Sequence, residues 1–357
     1  MYINKIKLQN FRNYKEQEIT FNNEISCFYG DNAQGKTNIL EAIFVTAMGK
    51  SFRTKKEKEL IKINEDFAFI EVEYKKTDRE GKIKIELSDK KNIYLNGVKL
   101  NKLSDLIGNI NVVIFSPEDI EIIKNGPEKR RKFLNMMISQ LRPAYIYNYN
   151  MYFKTLEQRN NYLKQIKFEN KNKEMLDIWD EKLVQYGTNI FKYRNKFINK
   201  IKSKIGEIHS NITQKNEKIE IKYISESKDE KEYLELLKKN REKDIIRGYT
   251  SVGVHRDDFV IYINEKEVNI YGSQGQQRTS VLSLKLSELY VIYDEINEYP
   301  ILLLDDFMSE LDEKRIRSFF VNIREAQVLI TGTHKLVLDN LESNIYNVVN
   351  GKVKLVE

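Results

Sequence analysis

The stretch YGDNAQGKTNILEA, residues 29–42, decides the fold class. Gly30 to Thr37 match the pattern G-x-x-x-x-G-K-[ST] without a mismatch, after the apolar run ISCF and before apolar residues at helical spacing. A strand, a glycine-bounded turn and a helix in that order form a phosphate-binding loop, because successive backbone N–H groups surround phosphate oxygens at the amino end of the helix. The flanking pattern argues against an ordinary glycine turn. The stretch therefore predicts an α/β fold that binds a nucleotide.

The side chains of this loop have separate expected roles. Lys36 would reach the β- and γ-phosphates of ATP, and the Thr37 hydroxyl would ligate Mg²⁺. The predicted nucleotide-binding residues of the loop are Gly30, Asp31, Asn32, Ala33, Gln34, Gly35, Lys36, Thr37 and Asn38.

A second carboxylate for the metal is expected at the carboxyl end of a neighbouring buried strand. Residues 300–306, PILLLDD, supply it, because four consecutive apolar residues indicate a strand covered on both faces and two acids follow them. Asp305 is expected to hold Mg²⁺, mostly through water, and Asp306 to orient or deprotonate the attacking water. An acidic turn after a strand is the alternative interpretation.

Two later segments predict further phosphate contacts. The run SQGQQRTSVLSLKLSEL, from Ser273, places a serine and backbone amides at the start of an apolar helix, which favours a second anion site. The segment VLITGTH ends another apolar strand with His334, which is expected to sense a γ-phosphate. A lone histidine at a strand end is otherwise more often structural. Its position after the glycine loop and the acidic strand favours the functional interpretation.

The composition locates a positive charge in the middle of the chain. The formal net charge is +7, and the excess of Lys and Arg lies between residues 118 and 246. Residues 191–204, FKYRNKFINKIKSK, contain six basic residues and no acid. A regional excess favours a surface for a polyanion, nucleic acid before membrane, and a solvated helix face is the alternative. The helical spacing of Phe191, Tyr193 and Phe197 favours core packing over base stacking.

Other features of the composition concern the cellular compartment. The single cysteine, Cys27, lies in an apolar run and allows no disulfide, which suits a reducing cytosol. The amino terminus has no basic-then-apolar signal pattern, and no apolar stretch is long enough to span a membrane. We therefore predict a cytoplasmic protein without a membrane partner.

The order of periodic segments predicts the domain organisation. Residues 1–117 read as strand-rich, with Asn96-Gly97 as a hairpin turn and the run NVVIF, residues 111–115, as a buried strand. Residues 118–246 show apolar residues at spacings of three and four, and strand patterns return after residue 247. The sequence predicts one α/β domain formed by residues 1–117 and 247–357, with an inserted helical arm at 118–246.

Nine segments, in order, carry a resemblance to a known family. They are LQNFRNY, GDNAQGKTNILEAI, GKSFRT, FSPEDI, GPEKRRKFLN, GVHRDDF, SQGQQR, LLLDDFMSELD and ITGTH. The chain resembles the ABC-type ATPases and, more closely, the RecF family of bacterial recombination mediators, nearly from end to end. The resemblance implies an ABC-type ATPase head with mixed sheets and an inserted helical arm.

The resemblance also implies a dimer that encloses two ATP molecules. Ser273 and Gly275 would contact the γ-phosphate that Lys36 of the other copy binds, and Gln276 is a further predicted nucleotide-binding residue. Asp312, in SELD, would lie in the loop that communicates across the interface, and Arg12, in NFRNY, would lie near the nucleotide. Asp306 stands where the broad ABC family usually has glutamate, so slow hydrolysis is expected.

The implied function is an ATP-controlled clamp on double-stranded DNA near single-strand gaps, acting with RecR and RecO to load RecA. A membrane-transport ATPase subunit, a chromosome-maintenance head and a DNA-binding module with a vestigial nucleotide site are the alternatives. The basic helical region and the family-specific motifs argue against a transport subunit. The helical region is too short for the long coiled-coil arms of a chromosome-maintenance head. The intact glycine loop and acidic strand argue against a vestigial nucleotide site.

The candidate DNA-binding residues are Lys55, Lys56, Lys58, Lys192, Arg194, Lys196, Lys200, Lys202 and Lys204.

Overall fold

The structure is a computed structural model, and it describes residues 1–21, 25–169, 171–213, 217–306, 319–320, 323, 325–335 and 343–356. The chain divides into two compact units. The first comprises Met1–Ile120, Asn211–Lys215 and Val281–Glu357, and the second comprises Glu121–Ser210 and Asn216–Ser280.

The strands and helices of the described residues are numbered in chain order. The strands are β1 (Tyr2–Phe11), β2 (Tyr14–Thr20), β3 (Ile25–Tyr29), β4 (Ala68–Lys75), β5 (Glu80–Leu87), β6 (Asn92–Leu95), β7 (Val98–Lys99), β8 (Val112–Phe115), β9 (Ile219–Ile224), β10 (Asp258–Ile263), β11 (Lys266–Glu267), β12 (Ile301–Leu304), β13 (Val328–Gly332), β14 (Ser343–Val349) and β15 (Lys352–Leu355). The helices are α1 (Lys36–Met48), α2 (Glu121–Lys124), α3 (Pro127–Leu141), α4 (Pro143–Glu169), α5 (Leu176–Thr213), α6 (Glu230–Arg247), α7 (Val268–Tyr271) and α8 (Gln274–Ile296). Short 3₁₀ helices cover Glu57–Leu60, Leu103–Asp105, Pro117–Ile120 and Lys173–Met175.

The first unit contains an antiparallel sheet in the order β2-β1-β4-β5-β6-β7. Side chains of β4 alternate between buried and half-buried over most of the strand, as the two-residue period of a sheet with one covered face requires. Asn96 and Gly97 both have positive φ, 50° and 83°, which is the conformation of a tight hairpin turn between β6 and β7. The predicted hairpin is therefore confirmed.

The same unit contains a mixed sheet in the order β15-β14-β3-β13-β12-β8. All neighbours from β14 to β8 are parallel, and only β15 pairs antiparallel. All four residues of β12 and of β8 are buried, which confirms the two strands predicted from their apolar runs. Because parallel strands share one carboxyl edge, the turn after β3 and the acids after β12 lie at the same edge, with β13 between them.

Helix α1 contacts strands of both sheets, β13 in the mixed sheet and β1 and β4 in the antiparallel sheet. Its residues from Ile39 to Met48 are all buried, including the polar residues Glu41 and Thr46. A helix that is covered on all sides has no free face on which to shift, so the glycine loop at its amino end is held firmly.

The second unit contains α2 to α7 and the antiparallel sheet β11-β10-β9. Its boundaries differ from the predicted arm of residues 118–246, because the unit extends to Ser280. The physical reason is strand pairing: β10 pairs with β9 over six positions, from Asp258↔Ile224 to Ile263↔Ile219, so the returning strand completes a sheet of this unit. Among the described helices, none has the length and apolar character needed to cross a membrane.

Candidate nucleotide site

Two glycines shape the loop between β3 and α1. Gly30 has φ 152°, and a Cβ there would lie 2.3 Å from the Val348 carbonyl oxygen. Gly35 has φ 114°, and a Cβ there would lie 2.5 Å from the Asn13 amide nitrogen. At Gly30 both the backbone angle and the Val348 backbone exclude a side chain, and at Gly35 the backbone angle disfavours one. The G-x-x-x-x-G spacing is thus a steric requirement of this turn.

Lys36, the first residue of α1, lies within the loop. Its Nζ donates to the carbonyl oxygens of Gly30, at 2.5 Å, and Asp31, at 2.7 Å. Burial lowers the pKa of Lys36 from its usual value, while the carboxylates of Asp306, Asp305 and Asp31 oppose that shift. The loop therefore holds an ammonium group in a partly desolvated position, where its attraction for phosphate is stronger than in water.

The two predicted metal ligands meet directly. The Thr37 hydroxyl donates to Asp305 Oδ1 at 2.7 Å. The Thr331 hydroxyl, from β13, donates to the same oxygen at 2.7 Å and accepts the backbone N–H of Asp306 at 3.0 Å. Burial raises the pKa of Asp305, and the two threonine hydrogen bonds act against that rise. Thr331 thus fixes both acids at the edge of the sheet.

A buried carboxylate on α1 organises the arginines of the site. Glu41 is fully buried and accepts both Nε and Nη2 of Arg12, at 2.8 and 2.7 Å. Arg53 Nη1 lies 3.5 Å from the same carboxylate and donates to Asn38 Oδ1 at 2.9 Å. One carboxylate therefore serves two guanidinium groups, so this side of the site keeps a net positive charge that suits a triphosphate.

The site contains a pocket of about 600 Å³, within the size range of small-molecule sites. The predicted residues that line it are Arg12, Asn32, Ala33, Gly35, Lys36, Thr37, Asn38, Asp305 and Asp306. Sequence reasoning did not select the other lining residues, which are Asn13, Arg53, Glu59, Ile61, Lys62, Ile63, Thr331 and Thr333. Four of these eight lie in the motifs NFRNY, GKSFRT and ITGTH. The motifs therefore indicate more of the pocket than the individual residues that were predicted from them.

Three predicted loop residues act on the loop rather than line the pocket. Gly30 and Asp31 offer their carbonyl oxygens to Lys36. Gln34 Oε1 accepts the backbone N–H of Asn350 at 2.6 Å, which ties the loop to the turn between β14 and β15.

Two predicted site residues, His334 and Asp312, are not among the described residues that line the pocket. His334 is exposed two residues beyond β13, and among the described residues this strand end contributes Thr331 and Thr333 to the pocket but not His334. Asp312 lies outside the described residues. Both assignments remain predictions.

Ser273 and Gln276 form a reciprocal cap at the amino end of α8. Ser273 Oγ accepts the backbone N–H of Gln276 at 3.3 Å, and Gln276 Oε1 accepts the backbone N–H of Ser273 at 3.0 Å. This is a capping box, S-x-x-Q, which stabilises a helix start. Gly275 lies inside the cap, and the nearest atom to a Cβ built there is Ser273 Oγ at 4.0 Å. The cap leaves the serine hydroxyl hydrogen available for an anion.

Comparisons with known proteins agree with one another. Residues 2–354 match the family model described as the RecF/RecN/SMC N terminal domain. A Clostridium perfringens protein named DNA replication and repair protein RecF is 46% identical over 365 aligned positions, which cover 99% of this chain and 100% of that protein. A Clostridium botulinum protein of the same name is 44% identical, with 100% of both chains covered. The chain belongs to the RecF family.

Solved structures support the same assignment. The chain is similar to the protein in "Structure of the recombination mediator protein RecF-ATP in RecFOR pathway", with a TM-score of 0.94, 39% identity and coverage of 100% of this chain and 98% of that one. An Smc head domain from Pyrococcus furiosus aligns with a TM-score of 0.59 at 16% identity, which shows a shared fold. The chain is an ABC-type ATPase of the RecF and SMC class, with its head formed from both ends and a helical insertion.

The structure corrects one candidate DNA contact. Arg194 is 1% exposed, and its guanidinium donates to the Val254 carbonyl oxygen at 2.6 Å and to Asn135 Oδ1 at 2.9 Å. A buried guanidinium that is bonded within the fold cannot reach a DNA backbone, so that prediction is wrong. Phe197, on the same helix, is buried as expected. The exposed candidates are Lys55, Lys56, Lys58, Lys192, Lys196 and Lys202, whereas Lys200 and Lys204 are half-buried.

The motifs RRKFLN and GVHRDDF are bonded to each other inside the second unit. Arg130 makes a two-pronged pair with Asp258, at 2.6 and 2.8 Å, and Arg131 Nη1 donates to the Asp257 carbonyl oxygen at 2.8 Å. Burial lowers the pKa of His255 to about 4. These family-specific motifs therefore mark internal structure of the helical unit rather than the chemistry of the nucleotide site.

Proposed function

We propose that the protein is an ATP-controlled DNA clamp that acts as a recombination mediator. Two copies would dimerise on ATP, bind double-stranded DNA near single-strand gaps and release it after hydrolysis. The observation that carries the proposal is the meeting of Lys36, Thr37 and Asp305 in one pocket of the ATPase head. The relatives named DNA replication and repair protein RecF, and the RecF structure described with ATP, support the assignment of that pocket to ATP in DNA repair.

The pocket has parts that suit each portion of ATP. Lys36 and the loop backbone suit the phosphates, while the apolar side chains of Ile61 and Ile63 suit the base. The Thr37 hydroxyl and the Asp305 carboxylate offer hard oxygen ligands to one point, a donor set that fits Mg²⁺. When bound there, the ion would neutralise charge on the phosphate oxygens.

The protein's own groups support slow hydrolysis. Asp306 is proposed to orient the attacking water, and Lys36 to stabilise the charge that develops on the transferred phosphate. His334 is proposed to sense the γ-phosphate. An aspartate carboxylate is one methylene shorter than glutamate, so it positions water less closely and favours a low turnover, which we expect DNA to stimulate.

Dimerisation would complete each site. Ser273, Gly275 and Gln276 of one copy are proposed to contact the γ-phosphate held by Lys36 of the other, and Asp312 to lie at the interface between copies. Phosphates are natural ligands of a capped helix start, because its backbone N–H groups and dipole favour negative charge. Loss of the γ-phosphate would then remove the bridge between the copies.

Exposed lysines are proposed to hold the DNA backbone. Lys192, Lys196 and Lys202 are exposed on α5, and Lys55, Lys56 and Lys58 are exposed after α1. Contacts with phosphate release counterions, so the affinity for DNA would fall steeply with salt. We propose that the protein acts in the cytoplasm with RecR and RecO to load RecA onto gapped DNA.

The test is light scattering after size exclusion, with and without ATP and gapped DNA. We expect an ATP-dependent dimer that binds DNA more tightly than the monomer does. Lys36→Met should abolish nucleotide binding, whereas Ser273→Arg should bind nucleotide as a monomer. Lys99→Met, an exposed position on β7, is the matched control and should behave as wild type.

The outcomes also separate the alternatives. A protein that remains monomeric and whose DNA affinity ignores ATP would overturn the clamp. An ATP-dependent dimer without DNA affinity would instead favour an ATPase subunit coupled to another process, such as membrane transport.

A further inference from the structure

The amide of Gln276 is held from two sides. Its Oε1 accepts the backbone N–H of Ser273 at 3.0 Å, which is half of the capping box. Its Nε2 donates to Glu217 Oε1 at 3.1 Å. The side chain that completes the serine cap is therefore itself positioned by a carboxylate that lies 59 residues away in sequence.

Glu217 is held in turn by a buried histidine. Glu217 Oε2 lies 3.4 Å from His209 Nε2, and the two side chains are 15% and 0% exposed. Burial lowers the pKa of His209, while Glu217 opposes the shift. A carboxylate accepts but does not donate, so His209 carries its hydrogen on Nε2 and points it at Glu217. Both carboxylate oxygens of Glu217 are thus engaged.

The chemistry of a carboxylate decides which way the Gln276 amide faces. An amide has a donating and an accepting end, and Glu217 pairs only with the donating NH₂ end. The accepting oxygen is thereby turned toward the Ser273 N–H, as the capping box requires. Without Glu217, the amide could rotate by a half turn and present its NH₂ to the Ser273 N–H, where the two donors cannot bond.

We propose that Glu217 is a positioning residue for Ser273. By orienting Gln276, it fixes the serine cap in the geometry that grips the nucleotide of a second copy. His209 lies near the carboxyl end of α5, the helix that carries Lys192, Lys196 and Lys202. The same bonds therefore connect the proposed DNA-contacting helix to the proposed phosphate contact. The inference rests on the proposed function, because the readout is ATP-dependent dimerisation.

The primary experiment measures ATP-dependent dimerisation of Glu217→Ala. We expect the affinity of the monomer for ATP to remain within twofold of wild type, because the pocket is untouched. We expect the dimer to weaken by roughly five- to tenfold, the size of effect that follows from loss of a helix cap. Glu220→Ala is the matched control, since it removes a carboxylate from β9 that forms an ion pair with the exposed Lys218.

A conservative variant separates positioning from general destabilisation. Glu217→Gln retains an oxygen that accepts from Gln276 Nε2, so it should keep most of the dimer affinity. Adding Gln276→Ala to Glu217→Ala should weaken the dimer no further than Gln276→Ala alone, because both act on one bond network. A Glu217→Ala protein that dimerises as wild type, or full additivity in the double variant, would overturn the proposal.

A measurement without nucleotide distinguishes failure of this inference from failure of the clamp. Amide hydrogen exchange at Gln276, whose N–H is bonded to Ser273 Oγ, should be faster in Glu217→Ala than in wild type and unchanged in Glu220→Ala. If wild type does not dimerise, the clamp fails and this exchange still tests the cap. Unchanged exchange in Glu217→Ala would contradict the positioning role directly.

Discussion

Two clusters in this chain each combine a basic side chain with aspartate, for opposite purposes. In the first unit, Lys36, Thr37 and Asp305 line a pocket of about 600 Å³. In the second unit, Arg159 donates Nε to Asp180 at 2.7 Å and Nη1 to Asp244 at 2.9 Å, and all three side chains are fully buried. One cluster presents its charges to a ligand, whereas the other satisfies its charges within the protein.

The difference shows that similar charged side chains can have a structural role in one place and a ligand-binding role in another. Arg159 forms buried ion pairs with Asp180 and Asp244, so removal of one of these charges should destabilise the fold. In the pocket, burial lowers the pKa of Lys36 and raises that of Asp305, so both charged forms are disfavoured. A bound triphosphate would favour charged Lys36, and a bound Mg²⁺ would favour charged Asp305. Mutations in the two clusters should therefore separate stability from activity.

The largest expected effect is on the stability of the helical unit. Arg159→Met leaves the buried carboxylates of Asp180 and Asp244 without this partner, and the free energy of unfolding should fall by about 3–5 kcal/mol. Urea denaturation followed by circular dichroism measures it. Lys173→Met, which breaks an exposed pair with Glu242, is the control and should change stability by less than about 1 kcal/mol. A loss below about 1 kcal/mol for Arg159→Met would remove the contrast between the clusters.

The corresponding change in the pocket should affect turnover instead. Asp305→Asn is expected to lower ATP turnover by on the order of 100-fold, about 2.7 kcal/mol of barrier, because it weakens the ligand set for Mg²⁺. Since burial raises the pKa of Asp305, its ionised form is disfavoured in the folded protein. The free energy of unfolding should therefore stay equal to wild type or rise slightly.

A steady-state phosphate-release assay and a urea titration measure the two quantities for Asp305→Asn. Asp89→Asn, at an exposed turn, is the control for the substitution itself. A large loss of stability in Asp305→Asn would show that the pocket charge is structural after all.

An intermediate effect is expected from pH, through His255. Its Nδ1 lies 2.7 Å from the Tyr152 hydroxyl and its Nε2 lies 3.1 Å from the Thr250 carbonyl oxygen, an arrangement that suits neutral imidazole. Burial lowers the pKa from 6.5 to about 4. Above pH 6.5 the ring is neutral in both folded and unfolded protein, and as pH falls the unfolded chain takes up the proton first. The stability of the folded state is therefore lost as the pH falls from 6.5 toward 4.

The measurement is the free energy of unfolding at several pH values for wild type and His255→Gln. The contribution from this histidine should amount to roughly 2 kcal/mol between about pH 6.5 and pH 5, and the difference between the two proteins isolates it from other titrating groups. Parallel curves for the two proteins would show that His255 does not titrate between the states.

The smallest expected effect concerns the apolar part of the pocket. Ile63 is 85% exposed at a turn, yet it lines the pocket. Ile63→Ser should weaken ATP by about threefold to fivefold, roughly 1 kcal/mol, because less apolar surface is covered by the base. Binding of inorganic tripolyphosphate should not change. Val98→Ser, at a position that is 67% exposed on β7, is the control in calorimetry, and equal losses for both ligands would refute a base contact.

The local parts of the fold and site could be predicted from sequence because their causes are local. The glycine spacing follows from the backbone of one turn, and the buried strand before Asp305 follows from four apolar residues in a row. The hairpin at Asn96 and Gly97 has the same kind of origin. In each case the signal lies in residue types within a few positions, although the atoms that crowd Gly30 and Gly35 belong to Val348 and Asn13, farther along the chain.

The partners within the site were not predictable in that way. Thr37 and Asp305 are 268 residues apart, and they meet because β13 places β3 and β12 at one edge of the sheet. Thr331 comes from that intervening strand, so neither the glycine loop nor the acidic strand end predicts its contacts, although the quoted segment ITGTH contains it. Arg194 is a further example. Its basic neighbours in sequence predict an exposed side chain, but in the structure the guanidinium is buried in the core.

The sequence by itself determined the phosphate loop, the acidic strand end and the family, because each depends on residue types at short fixed spacings. Tertiary structure alone decided which charged side chains line the pocket and which are paired inside the protein. It also decided that β10 completes a sheet of the helical unit and that Glu217 bonds Gln276 in the cap of α8. The physical reason is that burial and pairing depend on strands and helices that approach one another from distant parts of the chain.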